Sequence, residues 1–142
     1  MNVPGADWPD PSDLGPRTGP RSRKGLEPRV PPHNIEAEAS LLGAMLLTRD
    51  AIADALEVVR AEHFYKPSHA HVFDAVCGLY AAGEPADPVT VAEALARADL
   101  LDAIGGPGTL LELQATTPAT SSAAKYARII QEHATLRSLI GA

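Results

Sequence analysis

Pro32-His33-Asn34-Ile35-Glu36-Ala37-Glu38-Ala39-Ser40-Leu41-Leu42-Gly43-Ala44-Met45-Leu46-Leu47 is the first run of this chain with helical periodicity. Asn34 is a good N-cap, because its side-chain oxygen can accept from an orphan backbone N–H of the first turn. Glu36 and Glu38 then fall near the positive end of the helix dipole and read as dipole partners, not as a catalytic pair. Ile35, Ala39, Leu42 and Leu46 recur at spacings of four, three and four and define one buried face, which Leu41 and Met45 widen. Gly43 costs about 1 kcal/mol relative to alanine in a helix interior. A glycine kept there predicts the close approach of another backbone.

Upstream the character changes. Residues 1–31 carry seven prolines and no apolar periodicity, which predicts a disordered Pro/Arg-rich arm. Five basic residues against four acidic ones give that arm a net charge of +1. Arg21-Ser22-Arg23-Lys24 could touch nucleic acid or an acidic partner, but a solvated tail is the simpler reading. Residues 32–142 hold the other seven basic and fourteen acidic residues, net −7. An acidic domain is a poor partner for phosphate backbones, so weak or no DNA binding is expected of it.

Downstream the pattern stays helical. Hydrophobic residues make up 45% of the 142, with aromatics only 4%, so the core must be built from Leu, Ile, Val and Ala. A second helix follows Thr48, burying Ile52, Ala55, Leu56 and Val59. Glu62 to Pro67 interrupts the pattern and brings in Phe64 and Tyr65. A third helix from Pro67 or Ser68 lines one face with His69, Val72, Phe73, Val76, Leu79 and Tyr80, and Gly83 ends it. Asp87-Pro88-Val89 reads as an extended link, and Thr90 with Glu93 as the capping box of a fourth helix. Gly105-Gly106-Pro107-Gly108 reads as a turn before a fifth helix with Leu110, Leu111 and Leu113. After Pro118 a last helix, capped by Ser121 or Ser122, repeats Tyr126, Ile129, His133, Leu136 and Ile140 on one face, with Ile130 and Leu139 beside it.

Together these elements predict an all-α chain. Residues 32–117 form a compact orthogonal bundle of about five helices. Residues 118–142 begin a long C-terminal helix, the first arm of a helical hairpin, which leaves the core after Pro118. Its apolar stripe is still running at Gly141-Ala142, which predicts that the natural helix continues and that the polypeptide is a fragment.

Catalytic and metal chemistry find little footing. His69 and His71 stand about 200° apart on a helix, so they cannot share a metal. A lone Cys77 excludes an intramolecular disulfide and reads as a packed thiol. His133 falls on the apolar seam, where a partly exposed position is the plain reading. No apolar run approaches the ~20 residues of a membrane span, and no signal-type segment opens the chain; a cytoplasmic protein without a membrane partner is expected.

Asn34-x-Glu36-Ala37-Glu38-x-Ser40-Leu41-Leu42-Gly43 resembles the opening helix of the N-terminal domain of DnaB-type bacterial replicative helicases. Phe64-Tyr65 followed by His69 and Val72-Phe73, the link Gly83 to Val91 with Thr90, Ile104-Gly105-Gly106 with Leu110 and Leu113, and Thr117-Pro118 with Tyr126-Ala127, Ile129 and Arg137 are similar to that family's later motifs. Order and spacing agree from about residue 32 to the end. His63, Asp99, Thr109 and Ser122 depart from the family pattern, at positions where it usually has Asp, Gly, an aromatic residue and Asn.

The resemblance implies a collar domain. In that family the parent protein is a hexameric, ATP- and magnesium-dependent motor that unwinds DNA around a single strand. Its collar pairs through helical hairpins, three pairs make the ring, and primase docks on the outside. The motor is a RecA-like ATPase domain with a Gly-x-x-x-x-Gly-Lys-Ser/Thr loop that cradles phosphates. No such sequence occurs here, so the chain alone is expected to bind no cofactor and not to be an enzyme. The residues leave a second reading, an unrelated all-α interaction module with no motor. The reading frame beyond residue 142 would separate the two.

Overall fold

The computed structural model describes residues 30–141. The expected arm over residues 1–31, with Arg21 to Lys24, therefore lies outside the described residues except for Val30 and Pro31. From Pro31 onward the chain forms one compact unit. Among the described residues all regular structure is helical: α1 (Ile35–Leu47), α2 (Arg49–Leu56), α3 (Pro67–Ala81), α4 (Pro88–Arg97), α5 (Pro107–Ala115) and α6 (Ala123–Gly141). Short 3-10 turns occupy Ala61–His63, Asp102–Ile104 and Thr120–Ser122.

α1 is the centre, packed against α6, α5, α2 and α3. Its expected single face is an underestimate. Leu41, Leu42, Gly43, Ala44, Met45 and Leu46 are all buried, while Ile35 and Ala39 are only half-buried. A helix apolar all round belongs inside a bundle, and α1 meets that condition over its C-terminal half. At Gly43 the backbone of α5 arrives: a Cβ built there would overlap the Leu113 carbonyl and the Thr117 hydroxyl. That hydroxyl closes the end of α5 on Leu113 O at 2.9 Å and also lies 3.4 Å from Ser40 O, the contact that ties it to α1.

Caps and turns set the remaining angles. Asn34 Oδ1 accepts from Ala37 N at 2.9 Å and opens α1. Thr48 closes α1 through its N–H to Ala44 O and opens α2 by accepting from Ala51 N at 3.1 Å. α3 ends in a Schellman motif on Gly83 (φ 74°), with Glu84 N donating to Leu79 O and Gly83 N to Tyr80 O. α4 ends in the same motif, with Leu100 N to Leu95 O and Asp99 N to Ala96 O, but the left-handed residue is Asp99 (φ 60°). Gly105 (φ 103°) and Gly106 (φ 86°) make the turn into α5, whose first residue is Pro107.

Four expectations are corrected here. α4 begins at Pro88, not after Val89, because proline suits the first turn, where its missing N–H is no loss. Its capping box is Asp87 with Thr90: Thr90 N donates to Asp87 Oδ1 and Asp87 N to Thr90 Oγ1, each at 2.9 Å. Glu93 instead pairs with Arg97 one turn on, in solvent. The expected serine cap of α6 gives way to the Thr120–Ser122 turn, which runs directly into the helix. Finally, the chain does not leave the core at Pro118. Ala123, Ala127 and Ile130 are buried and belong to the same cluster as α1; without them α1 would lose the cover on one side.

Two substitutions test this turn chemistry in opposite directions. Asn34→Ala removes an N-cap and should cost about 1 kcal/mol. Asp99→Gly removes a left-handed penalty of about 1–2 kcal/mol while adding about 0.5–1 kcal/mol of backbone entropy to the unfolded chain, so it should stabilise by about 0.5–1 kcal/mol. Urea denaturation should show the two midpoints moving apart at unchanged m-value.

Candidate interaction surface

The α1 and α3 side chains meet at a buried polar node. Glu38 is 1% exposed and His69 is buried with it. The imidazole Nδ1–H of His69 donates to Glu38 Oε1 at 2.8 Å, Tyr65 N donates to Oε2 at 2.6 Å and Lys66 N to Oε1 at 3.3 Å. Glu38 is thus an acceptor for the start of α3, supplied by a different helix, and not a dipole partner like the exposed Glu36. Tyr65 and Lys66 are the residues just before α3 begins, so Glu38 satisfies N–H groups there as a cap would. Phe64 turns inward beside the node and packs on Phe73, with ring centroids 4.9 Å apart.

Electrostatics elsewhere are quiet. His69 points into the node while His71 lines an open groove of about 300 Å³ between α3 and α4, so the two do not converge. Among the described residues no cluster of three His, Cys, Asp or Glu could hold a metal. Burial pushes the half-buried Cys77 thiol up to about 11, with Asp74 adding and Arg60 opposing, which leaves little thiolate at neutral pH. The Thr90 N–H holds the Asp87 carboxyl below the usual carboxylate range. No helix among the described residues is long and apolar enough to cross a membrane.

The surface feature of note runs along α6. Tyr126, Ile129 and His133 are half-buried, and the His133 ring bonds back to its own helix at Ile129 O. Beyond them Leu136, Leu139 and Ile140 are 47%, 73% and 68% exposed. At the other end of this face an open groove of about 400 Å³ is bounded by the cap Asn34, by Ala37 and Ser40 of α1 and by Pro118, Tyr126 and Ile129. Thr90 lies in the first turn of α4 and completes its capping box, and Gly105 and Gly106 make the turn into α5; all three serve the fold. The Glu38–His69 contact joins residues 31 apart, and no spacing rule in the sequence marks it.

The comparisons with known proteins agree with this arrangement. The family model for the DnaB-like helicase N terminal domain matches residues 30–132. The replicative DNA helicase DnaB of Mycobacterium leprae (strain TN) is 51% identical over 114 residues, which cover 80% of this chain and 19% of that protein. DnaB of Leifsonia xyli subsp. xyli (strain CTCB07) is 46% identical over 114 residues, 80% of this chain and 25% of that one. Replicative DNA helicase DnaC of Bacillus subtilis (strain 168) is 41% identical over 115 residues, 81% and 25%. Among solved structures, the N-terminal domain of DnaB helicase from Mycobacterium tuberculosis superposes with a TM-score of 0.78 at 50% identity, covering 79% of this chain and 81% of that one. The corresponding domain from Helicobacter pylori, described with its interactions with primase, shares the fold at a TM-score of 0.61 and 19% identity, over 74% and 81%.

A chain so matched is a helicase-associated all-α domain. It belongs to the DnaB-like helicase N-terminal domain family, and the reading of an unrelated interaction module falls. The chain spans about a fifth to a quarter of the length of the curated relatives it matches.

The buried node gives a direct test. Glu38→Gln places an NH₂ donor where one of the backbone or imidazole donors now points, and an unmet buried polar group costs about 1–3 kcal/mol. Glu38→Ala orphans all three donors and should cost more, about 1–3 kcal/mol for each donor that stays out of water's reach. Thermal and urea unfolding should rank wild type above Gln above Ala; a Gln variant as stable as wild type would mean that water reaches the node.

Proposed function

We propose that this chain is the collar domain of a replicative DNA helicase, which pairs with further copies through α6 and presents an outer surface for primase. The exposed apolar face Leu136, Leu139 and Ile140, continuing the half-buried Tyr126, Ile129 and His133, carries this reading. Burying a Leu or Ile side chain is worth about 1.5–3 kcal/mol, so three of them left in water favour a partner. In the parent protein the pairs would close into a hexamer around single-stranded DNA. ATP and magnesium belong to the motor domain of that parent, since this chain has no phosphate-cradling loop sequence. The net charge of −7 over residues 32–142 argues against a direct grip on DNA by this domain. A cytoplasmic location goes with this role. The primase partner is carried over from the description of the Helicobacter pylori domain.

Purified chain should show no DNA-stimulated ATP turnover; measurable turnover would refute the collar-only reading. Light scattering at rising concentration should show species larger than a monomer. Leu136→Asp with Ile140→Asp should return the chain to monomer while its helical circular dichroism is retained, because both side chains lie outside the core. A wild-type chain still monomeric at millimolar concentration would remove the support for pairing through α6.

A further inference from the structure

α6 is held in two different ways along its length. Its inner stripe runs Ala123, Ala127, Ile130, Ala134, Arg137, at spacings of four, three, four and three. The first three are buried, Ala134 is half-buried, and no residue from Gln131 to Ile140 is buried. The stripe therefore ends on an arginine at a position where a core would demand an apolar side chain. What lies opposite Arg137 explains the choice. Its Nη1 donates to Pro32 O at 2.9 Å and its Nη2 to His63 O at 2.6 Å. Its guanidinium carbon lies 5.5 Å from the centre of the Tyr65 ring, within cation–π range. Tyr65 in turn stacks on His33 at 4.0 Å with 9° between the planes.

One side chain thus joins three segments: the entry to α1, the turn before α3, and the far part of α6. Its acceptors are prepared in advance. Tyr65 N is tied to Glu38 Oε2 inside the bundle, which fixes the Phe64–Tyr65 segment next to the His63 carbonyl. A planar fork can meet two carbonyls at once; an ammonium meets them one at a time.

We infer that Arg137 is a latch that fixes the direction in which the last turns of α6 leave the domain, and so sets how the face Leu136, Leu139 and Ile140 is presented. The first half stands on the geometry alone. The second half rests on the assembly reading above. Arg137 is a positioning residue here: it acts through α6. With Arg137 gone, the Pro32 and His63 carbonyls can take water, so α1 to α5 stay folded, while α6 beyond the Gln131 bond to Val58 O loses its tie to the rest of the unit and frays.

Hydrogen exchange followed by mass spectrometry on the whole chain tests this, comparing wild type, Arg137→Ala and Arg137→Lys. Local opening in both variants should speed exchange over residues 132–140 by about tenfold or more while residues 41–46 keep wild-type protection. Self-association by light scattering should weaken by about tenfold in both, since Lys keeps the charge but not the fork. Unchanged exchange over 132–140 in Arg137→Ala overturns the latch, and so does faster exchange spread through 41–46, which would make Arg137 a general prop of the fold. Restoration of both readouts by Lys overturns the fork. Local fraying with undiminished association overturns the second half. If the wild type does not associate at all, that failure belongs to the assembly reading, and the exchange comparison still decides the latch.

Discussion

Glu38 is enclosed in the middle of a helical bundle, and an enclosed carboxyl must be given donors or the fold loses several kcal/mol. The bundle gives it three, all from the segment Tyr65 to His69. This requirement reaches well beyond the pair itself. The segment before α3 has no regular structure to hold it, yet its backbone is pinned at Tyr65 and Lys66. Phe64 can then turn into the core against Phe73, and Tyr65 can turn out to stack on His33. Inside and outside are connected through two consecutive residues facing opposite ways. The polar node is therefore the point at which α1, the start of α3 and the surface of the domain share one geometry.

Around α1 the packing follows from the run Leu41 to Leu46, which is buried on every side. Such a run needs neighbours all round, and short connections bring them. Thr48 serves two helices with one residue. Two Schellman motifs reverse the chain after α3 and α4. At Gly43 the missing side chain lets the end of α5 sit directly on the α1 backbone, and Thr117 Oγ1 bonds at that contact to Leu113 O. Each device is local, but each is worth little without α1 to close upon.

Much of this was legible from residue types. Asn34 and Gly83 stand where their backbone chemistry requires, and the chain's all-α character follows from its aliphatic, helix-forming composition; Pro107 and Gly108, read as part of a turn, instead open α5, because proline suits the first turn of a helix. Gly43 marked a close approach because glycine is otherwise costly inside a helix. Asp87 and Thr90 show the limit. Asp-Pro and Thr-x-x-Glu both signal a helix start, three residues apart, and the choice depends on where the chain must turn after Pro85, which is a tertiary matter. Glu38 shows a stronger limit. Near a helix N-terminus a glutamate is usually a dipole partner, and only packing against α3 makes this one internal. For α6 the periodicity was visible but its phase was not. Tyr126, Ile129, His133, Leu136 and Ile140 form the stripe with the larger side chains, whereas the stripe that enters the core begins with two alanines, Ala123 and Ala127.

That phase difference has a physical meaning. A helix turns about 100° per residue, so the stripe through Ala127 and Ile130 lies beside the one through Tyr126 and Ile129, not opposite it. Small side chains on the inner stripe let α6 lie close on α1, as small residues do wherever two helices approach. Close contact at Ala123 and Ala127 brings the neighbouring stripe down to the surface, which is why Tyr126 and Ile129 are half-buried. Further on, α6 passes the edge of the bundle: the inner stripe meets backbone carbonyls and changes from alanine and isoleucine to Arg137, while the outer stripe stays apolar through Leu136 and Ile140. Past the last buried residue of α6 the inner stripe ends on a charge, whereas the outer one, after His133, is apolar again at Leu136 and Ile140. An apolar stripe that continues past the edge of its own core contributes nothing to the stability of this unit by burial, and in water it carries a cost. In the proposed pairing a second copy would cover that stripe, and the polar tie at Arg137 would hold the helix in register for it.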